Sequence, residues 1–200
     1  MTITVELLSK TMVTTDGDMT LERLNVRLNR DAERGVEIST VIARRPDVAA
    51  VIAYDPTRAE VVLVEQFRGA PFLRTGVTSS VEIVAGYLDV GESFEVGARR
   101  ELREETGLDA REMYRMGSFF PAPTLSSEIV DLWCAIVSTE QLRRGWTEPG
   151  LGELIRSITI PVKTLPEKVA VGYFDNALSI LAVQWFLLNL DQISMRLRSG

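Results

Sequence analysis

The segment Gly86–Leu108, GYLDVGESFEVGARRELREETGL, constrains this chain more than any other stretch. It predicts a helix from Phe94 to Thr106, with Ser93 as N-cap and Gly107 as the left-handed stop. Phe94, Ala98 and Leu102 recur every four residues and supply a buried stripe. Glu101, Glu104 and Glu105 stand three and four apart, so they cluster on the neighbouring face. Like carboxylates at that spacing weaken a bare helix by a few tenths of a kcal/mol per pair, roughly. Arg100 offsets part of that charge. Hard divalent cations bound through oxygen would offset the rest, and Mg²⁺ is the usual choice when a phosphate completes the octahedron.

A Glu-rich surface helix is ordinarily a solvated face, and the run Arg-Glu-Leu-Arg-Glu-Glu by itself would be read that way. The upstream residues argue against it. Gly86 and Gly91 bracket a loop between an apolar strand, Val81–Val84, and the helix, and Glu92 sits where it can reach back to Arg100. A solvated face has no need of such a loop.

Two hundred residues with 46% apolar side chains suffice for one large domain, or a domain with an appendage. A net charge of −6 leaves no basic footprint for nucleic acid or an acidic membrane surface. An acidic chain that binds a phosphate ester needs local arginines and metal to reverse the field. The single cysteine, Cys134, lies in an apolar strand-like run and is expected to be buried, reduced and inert. No leader sequence is read. The most apolar helical stretch, around Ile180 to Leu190, contains Gln184 and is expected to be too short to cross a bilayer. The expected location is cytoplasmic, with no membrane and no nucleic-acid partner.

Along the chain, short alternating runs such as Thr4–Leu8 and Leu21–Leu28 flank a turn at Thr15–Asp18 and predict a small antiparallel sheet over residues 1–47. Val48–Tyr54, Glu60–Phe67, Tyr114–Phe119, Glu128–Val137 and Leu154–Pro161 read as further strands. A short helix is expected over Pro166–Val171 and a longer one over Asn176–Asn189. In the longer one, Ala177, Ile180, Leu181, Val183 and Trp185 should face inward. Strands flanking two or three helices predict an α+β fold with mixed sheets. Trp133, Trp146 and Trp185 are read as core or interface residues rather than as platforms for a base.

The pattern Gly-x5-Glu-x7-Arg-Glu-U-x-Glu-Glu-x-Gly-U, with U apolar, is met at every specified position from Gly86 to Leu108. Seven fixed residues and two apolar slots would coincide at about one start site in a billion. The segment resembles the Nudix box. The resemblance continues outside it toward ADP-ribose pyrophosphatases: Leu63–Arg68 (LVEQFR), Glu82–Gly86 (EIVAG), Phe120–Glu128 (FPAPTLSSE), and Asp175–Ala177 followed by Ala182–Trp185. It implies a Nudix-type α/β/α sandwich with mixed sheets over residues 48–200. Residues 1–47 would form an N-terminal antiparallel β appendage used for homodimerisation. Thr124 and Leu125 depart from the subfamily's loop, and Gly145–Ile155 matches less clearly than the box.

The implied reaction is metal-dependent hydrolysis of the diphosphate linkage in a nucleoside diphosphate sugar. For ADP-ribose the products would be AMP and ribose 5-phosphate. Competing readings are a hydrolase of another nucleotide sugar such as GDP-mannose, and a non-catalytic Nudix-fold module that binds such a ligand and regulates a partner. Glu101 and Glu105 are the first candidates for side-chain metal ligands, with Glu104 close behind; Mg²⁺ is expected and Mn²⁺ is an alternative. By the resemblance, Ala85 adds a backbone carbonyl ligand, Glu92 and Arg100 form a structural salt bridge, and Gly86 and Gly107 are structural. Glu153, in the Gly-rich loop before the last strand, is the candidate general base, and Glu148 is its alternative. Arg68 is expected to meet a phosphate, because an arginine fork matches phosphate oxygens bidentately. Arg45, Glu82, Ser126 and Glu128 are further candidates for contacting substrate.

Overall fold

The computed structural model describes residues 3–30, 35–150 and 152–199. The chain divides into two compact units, one comprising residues 1–47 and 120–129, the other residues 48–119 and 130–200.

The first unit is a three-stranded antiparallel sheet of β1 (Ile3–Asp16), β2 (Met19–Arg30) and β3 (Val36–Arg44), in the order β1-β2-β3. Its register sorts the side chains by face. Val5, Leu28 and Val36 form one apolar row, and Leu7, Val26 and Ile38 form the next. On the opposite face Arg27 lies between Glu6 and Glu37, at 3.0 and 2.8 Å. Period-two alternation produces this sorting directly. Residues 120–129 join the unit through backbone hydrogen bonds on either side of a parallel Ala43–Ser126 bridge. Ala43 N–H donates to the Leu125 carbonyl and Ser127 N–H to the Ala43 carbonyl.

The second unit is built on an eight-stranded mixed sheet. Its strands are β4 (Val48–Asp55), β5 (Glu60–Gln66), β6 (Ser80–Glu82), β7 (Val84–Tyr87), β8 (Glu112–Phe119), β9 (Val130–Ile136), β10 (Trp146–Thr147) and β11 (Ile155–Pro161). The main order is β10-β11-β5-β4-β9-β8, with β4 parallel to β9. Strand β4 and β5 pair only near their turn, from Ala53–Val62 to Asp55–Glu60. Beyond that they splay apart, and β6 fills in against β5 while β7 pairs with β4. The expected single strand Val81–Val84 is therefore two strands broken at Ile83.

Helix α1 is Gly69–Thr75, α2 is Phe94–Thr106, α3 is Leu165–Ala170 and α4 is Ala177–Ser199. Ala98 and Leu102 of α2 pack over Ala49, Val51, Val62, Val64 and Ala135 on one face of the sheet. Ala182, Val183 and Phe186 of α4 pack over Ala50, Ile52, Leu63, Leu132 and Cys134 on the other. Covering both faces explains why β4 is apolar from Val48 to Tyr54 instead of alternating. Each fully buried large side chain, such as Leu102 or Phe186, contributes roughly 1.5–3 kcal/mol.

Helix α2 has the predicted bounds. Its Ser93 hydroxyl accepts the Val96 N–H, and Gly107 takes a left-handed φ of 75° to close it. Helix α4 differs from expectation. It runs ten residues further than Asn189, and its buried side is Ser179, Ala182, Val183, Phe186 and Ile193. Ala177 and Leu181, expected inside, are exposed, because the inward stripe lies a fraction of a turn away. By length and composition α4 is also long and apolar enough to span a bilayer, contrary to expectation. Its buried side belongs to the core of the unit.

Candidate active site

The site grows from the last two turns of α2. Arg100 organises the approach to it. Its Nε and Nη2 bond the two Glu92 oxygens at 3.0 and 2.8 Å, and Nη2 also reaches the Tyr87 carbonyl at 2.8 Å. The remaining nitrogen, Nη1, donates to Glu101 at 2.6 Å and to Glu104 at 3.1 Å. A planar five-donor fork can satisfy all of these together. Loop and helix are thus tied through one guanidinium.

Gly86 faces Glu101. A Cβ built at Gly86 would overlap the Glu101 carboxylate, so glycine is what lets the backbone of β7 approach it. Ala85, half-buried and next to Gly86 in β7, pairs with Ala50 of β4.

Glu105 is only 5% exposed, and its Oε2 is buried with no hydrogen-bond partner among the described residues. Burial first, and then the neighbouring Glu101, push its carboxyl well above the usual carboxylate range, while Arg68 pulls the other way. Burial likewise raises Glu101, against the opposing pull of Arg100. Two adjacent carboxyls that resist ionisation, one with a free buried oxygen, are short of a cation. Among the described residues no three acids close into a cage. Mg²⁺ is ordinarily held by one or two carboxylates together with substrate phosphates and water, so the donor set fits such an ion.

Arg68 lies at the end of β5 and is clamped by Glu82, with Nε at 3.1 and 3.0 Å from the two oxygens and Nη2 at 2.8 Å. Glu82 is buried, and Arg68 feels the charge of both Glu105 and Glu153. Glu153 is exposed, and its charge acts on Glu101, Glu105 and Arg68 alike, which favours it over the exposed Glu148. Glu101, Glu104, Glu105, Ala85, Arg68, Glu82 and Glu153 all belong to the second unit. Arg45, Ser126 and Glu128 belong to the first, where Arg45 lies 3.8 Å from Glu128 and Ser126 Oγ accepts the Glu128 N–H.

Sequence reasoning missed three supports. Arg143 Nη1 donates to the Glu104 carbonyl and Arg143 N–H to the Thr106 carbonyl, capping α2 from outside the helix. Ser157 Oγ donates to the Glu105 carbonyl at 3.2 Å. Gln66 reaches Glu82 from β5. None has a spacing signal, since each arrives from a distant part of the chain.

A family model for the NUDIX domain matches residues 43–169. The ADP-ribose pyrophosphatase of Escherichia coli strain K12 is 33% identical over 153 residues, spanning 76% of this chain and 73% of that protein. The methanol dehydrogenase activator of Bacillus methanolicus is 42% identical over 149 residues, spanning 74% of this chain and 75% of that one. A solved structure titled as an ADP compounds hydrolase superposes with a TM-score of 0.73 at 19% identity, over 94% of this chain and 95% of that one. That likeness establishes the fold as the Nudix α+β sandwich. With a family match over residues 43–169, the chain belongs to the Nudix family, and it is a Nudix hydrolase.

Proposed function

We propose that the chain hydrolyses the diphosphate linkage of a nucleoside diphosphate sugar, with ADP-ribose as substrate and AMP and ribose 5-phosphate as products. The observation that carries this reading is Glu105: a buried carboxyl with an oxygen unpartnered among the described residues, under the influence of the neighbouring Glu101 and Arg68 charges. A bound divalent cation, Mg²⁺ or Mn²⁺, would polarise the phosphoryl oxygens and lower the pKa of an attacking water.

The chain's own residues supply the rest. Glu101 and Glu105 would hold the cation, with Glu104 and the Ala85 carbonyl as further candidate ligands. Arg68, braced by Glu82, orients a phosphate through the donors that Glu82 leaves free. Glu153 takes the proton from the water that attacks phosphorus. The bridging P–O bond breaks, and the leaving phosphate departs with its electron pair. The enzyme is a homodimer through its N-terminal sheet and works in the cytoplasm. The apolar rows of Val5, Leu28 and Val36 and of Leu7, Val26 and Ile38 support the dimer, because a sheet face of that character is usually covered.

The test is product release from ADP-ribose, GDP-mannose, NADH and diadenosine polyphosphates, each with Mg²⁺ and with EDTA. Metal-dependent AMP from ADP-ribose is the expected result. Faster turnover of GDP-mannose would move the specificity and keep the chemistry. Tight binding without turnover of any of them would favour a regulatory binding module.

A further inference from the structure

Between β6 and β7 the chain changes partners. Glu82 still pairs with Val64 of β5, and Val84 already pairs with Val51 of β4. Ile83, between them, belongs to neither ladder, and it is 1% exposed. A buried N–H at such a crossover must find an acceptor or cost the fold a lost hydrogen bond. It finds one in α4: Ser179 Oγ accepts the Ile83 N–H at 3.1 Å. Ser179 is itself fully buried, and its own N–H donates to Asn176 Oδ1, which caps α4. Three residues upstream, Ser80 Oγ donates to Asp175 Oδ2 at 2.6 Å, so the first turn of α4 and the residue just before its cap grip the segment at both ends.

What lies within and just beyond that grip is the cation side of the site. Glu82, which braces Arg68, sits between the two anchors, and Ala85 and Gly86 follow the second after Val84 alone. Helix α4 packs on the face of the sheet opposite α2, so no α4 side chain in that core can meet the α2 acids through the sheet. The crossover is the route by which its position reaches them.

We infer that Ser179 is a positioning residue for the cation-binding edge of the site, acting through the Ile83 amide on the placement of Glu82, Ala85 and Gly86. The inference rests on the functional reading above. A hydroxyl is suited to the task because it accepts a bond from a backbone that has left its sheet ladder, at a fully buried position. Without it, the Ile83 N–H is orphaned, and the two short strands flanking it are free to shift by tenths of an ångström. Ligand geometry for a small octahedral cation does not tolerate such a shift.

The experiment compares four full-length proteins: wild type, Ser179→Ala, Ser179→Thr and Ile193→Val. Ile193 is buried on the same helix, about 21 Å further along its axis, so its truncation weakens α4 without touching the crossover. Mn²⁺ affinity is measured by calorimetry without substrate, amide exchange at Ile83 by NMR, and kcat and KM for ADP-ribose across a Mg²⁺ titration. Ser179→Ala should exchange the Ile83 amide faster and weaken Mn²⁺ binding about 10- to 100-fold. Its Mg²⁺ requirement should rise by the same factor, with KM at saturating metal within about twofold of wild type. Ser179→Thr keeps the hydroxyl and should restore Ile83 protection and metal affinity even if its extra methyl lowers Tm. Unchanged Mn²⁺ affinity in Ser179→Ala, or an equal loss in Ile193→Val, overturns the inference alone. A wild-type chain that binds no divalent cation overturns the functional reading and this inference with it.

Discussion

The carboxylate of Glu101 occupies the space that a Cβ on Gly86 would fill. A strand and a helix are thereby brought into contact at one acid, and the glycine is what makes the contact sterically possible. Replacing Gly86 by Ala would push the end of a flexible side chain, not a backbone, so the fold should survive with a stability loss of about 1–3 kcal/mol. Activity should fall about 100-fold, because Glu101 can no longer occupy its place. Urea unfolding and steady-state kinetics on the same preparation separate the two effects. Unaltered kinetics would show that the Glu101 position is not critical.

Glu105→Gln removes a buried carboxyl whose Oε2 has no partner among the described residues. The fold should tolerate it or gain stability, and turnover should fall at least 100-fold, roughly the loss expected for a metal ligand or its near neighbours. Adding Mg²⁺ should raise the Tm of wild type, EDTA should reverse the gain, and the variant should show neither. Near-normal turnover would remove Glu105 from the cation site.

Glu105 and Glu101 are both raised above the usual carboxylate range, by burial first. A carboxyl raised by folding favours the folded chain while protonated, and that contribution is lost as pH rises through its folded value. Cation binding needs the ionised form, so protons compete with the metal. Apparent Mg²⁺ affinity should therefore increase with pH above the ordinary carboxylate range. A pH-independent affinity in calorimetric titrations would contradict this.

Asp55 carries the opposite sign. Burial would raise it, yet bonds from the Thr139 N–H and hydroxyl and from the Arg58 N–H and guanidinium outweigh burial and hold it at about 2. Its folded value is below its unfolded one, so it stabilises the chain by about 2 kcal/mol above the unfolded value of roughly 4. That contribution drains away as pH falls toward 2. Asp55→Asn should flatten the acid limb of a plot of urea midpoint against pH. An identical acid limb in the variant would rule the effect out.

Arg143 holds the Glu104 and Thr106 carbonyls at the end of α2. Arg143→Ala should lower Tm by roughly 1–4 °C, the worth of a favourable charge at a helix C-terminus in a chain of this size. The half-saturating Mg²⁺ concentration should rise as the last turn frays. Arg143→Lys should recover part of both. A Tm loss with no change in Mg²⁺ dependence would limit Arg143 to stability.

Local rules carried much of this protein. Ser93, the Phe94–Ala98–Leu102 stripe and Gly107 are enough to place α2 at Phe94–Thr106, because capping, periodicity and a left-handed stop act within a few residues of one another. The same helix sets Glu101, Glu104 and Glu105 on adjacent turns whatever surrounds them. Strands β4, β5, β8, β9 and β11 were legible as apolar runs for the same reason. Short range also explains the errors. The break at Ile83 leaves no trace in an apolar run, since it arises where β4 and β5 diverge. The inward face of α4 was legible only in part: Val183 is buried and Ile180 and Trp185 are half-buried against the core, but Ala177 and Leu181 are exposed, because nearly every side of that helix is apolar and only packing against Ile52 and Leu63 selects Ala182 and Phe186.

The sequence by itself determined the motif helix, its acids and the family to which the chain belongs. Tertiary structure alone decided the chemical state of those acids. Burial of Glu105 under the sheet, the clamp of Glu82 on Arg68, the cap from Arg143 and the bond from Ser179 to Ile83 join residues from 14 to 96 positions apart. Such pairings have no period and no spacing rule, because they depend on which surfaces the folded chain brings together. Their energies exist only where water has been excluded, and that exclusion belongs to the assembled core.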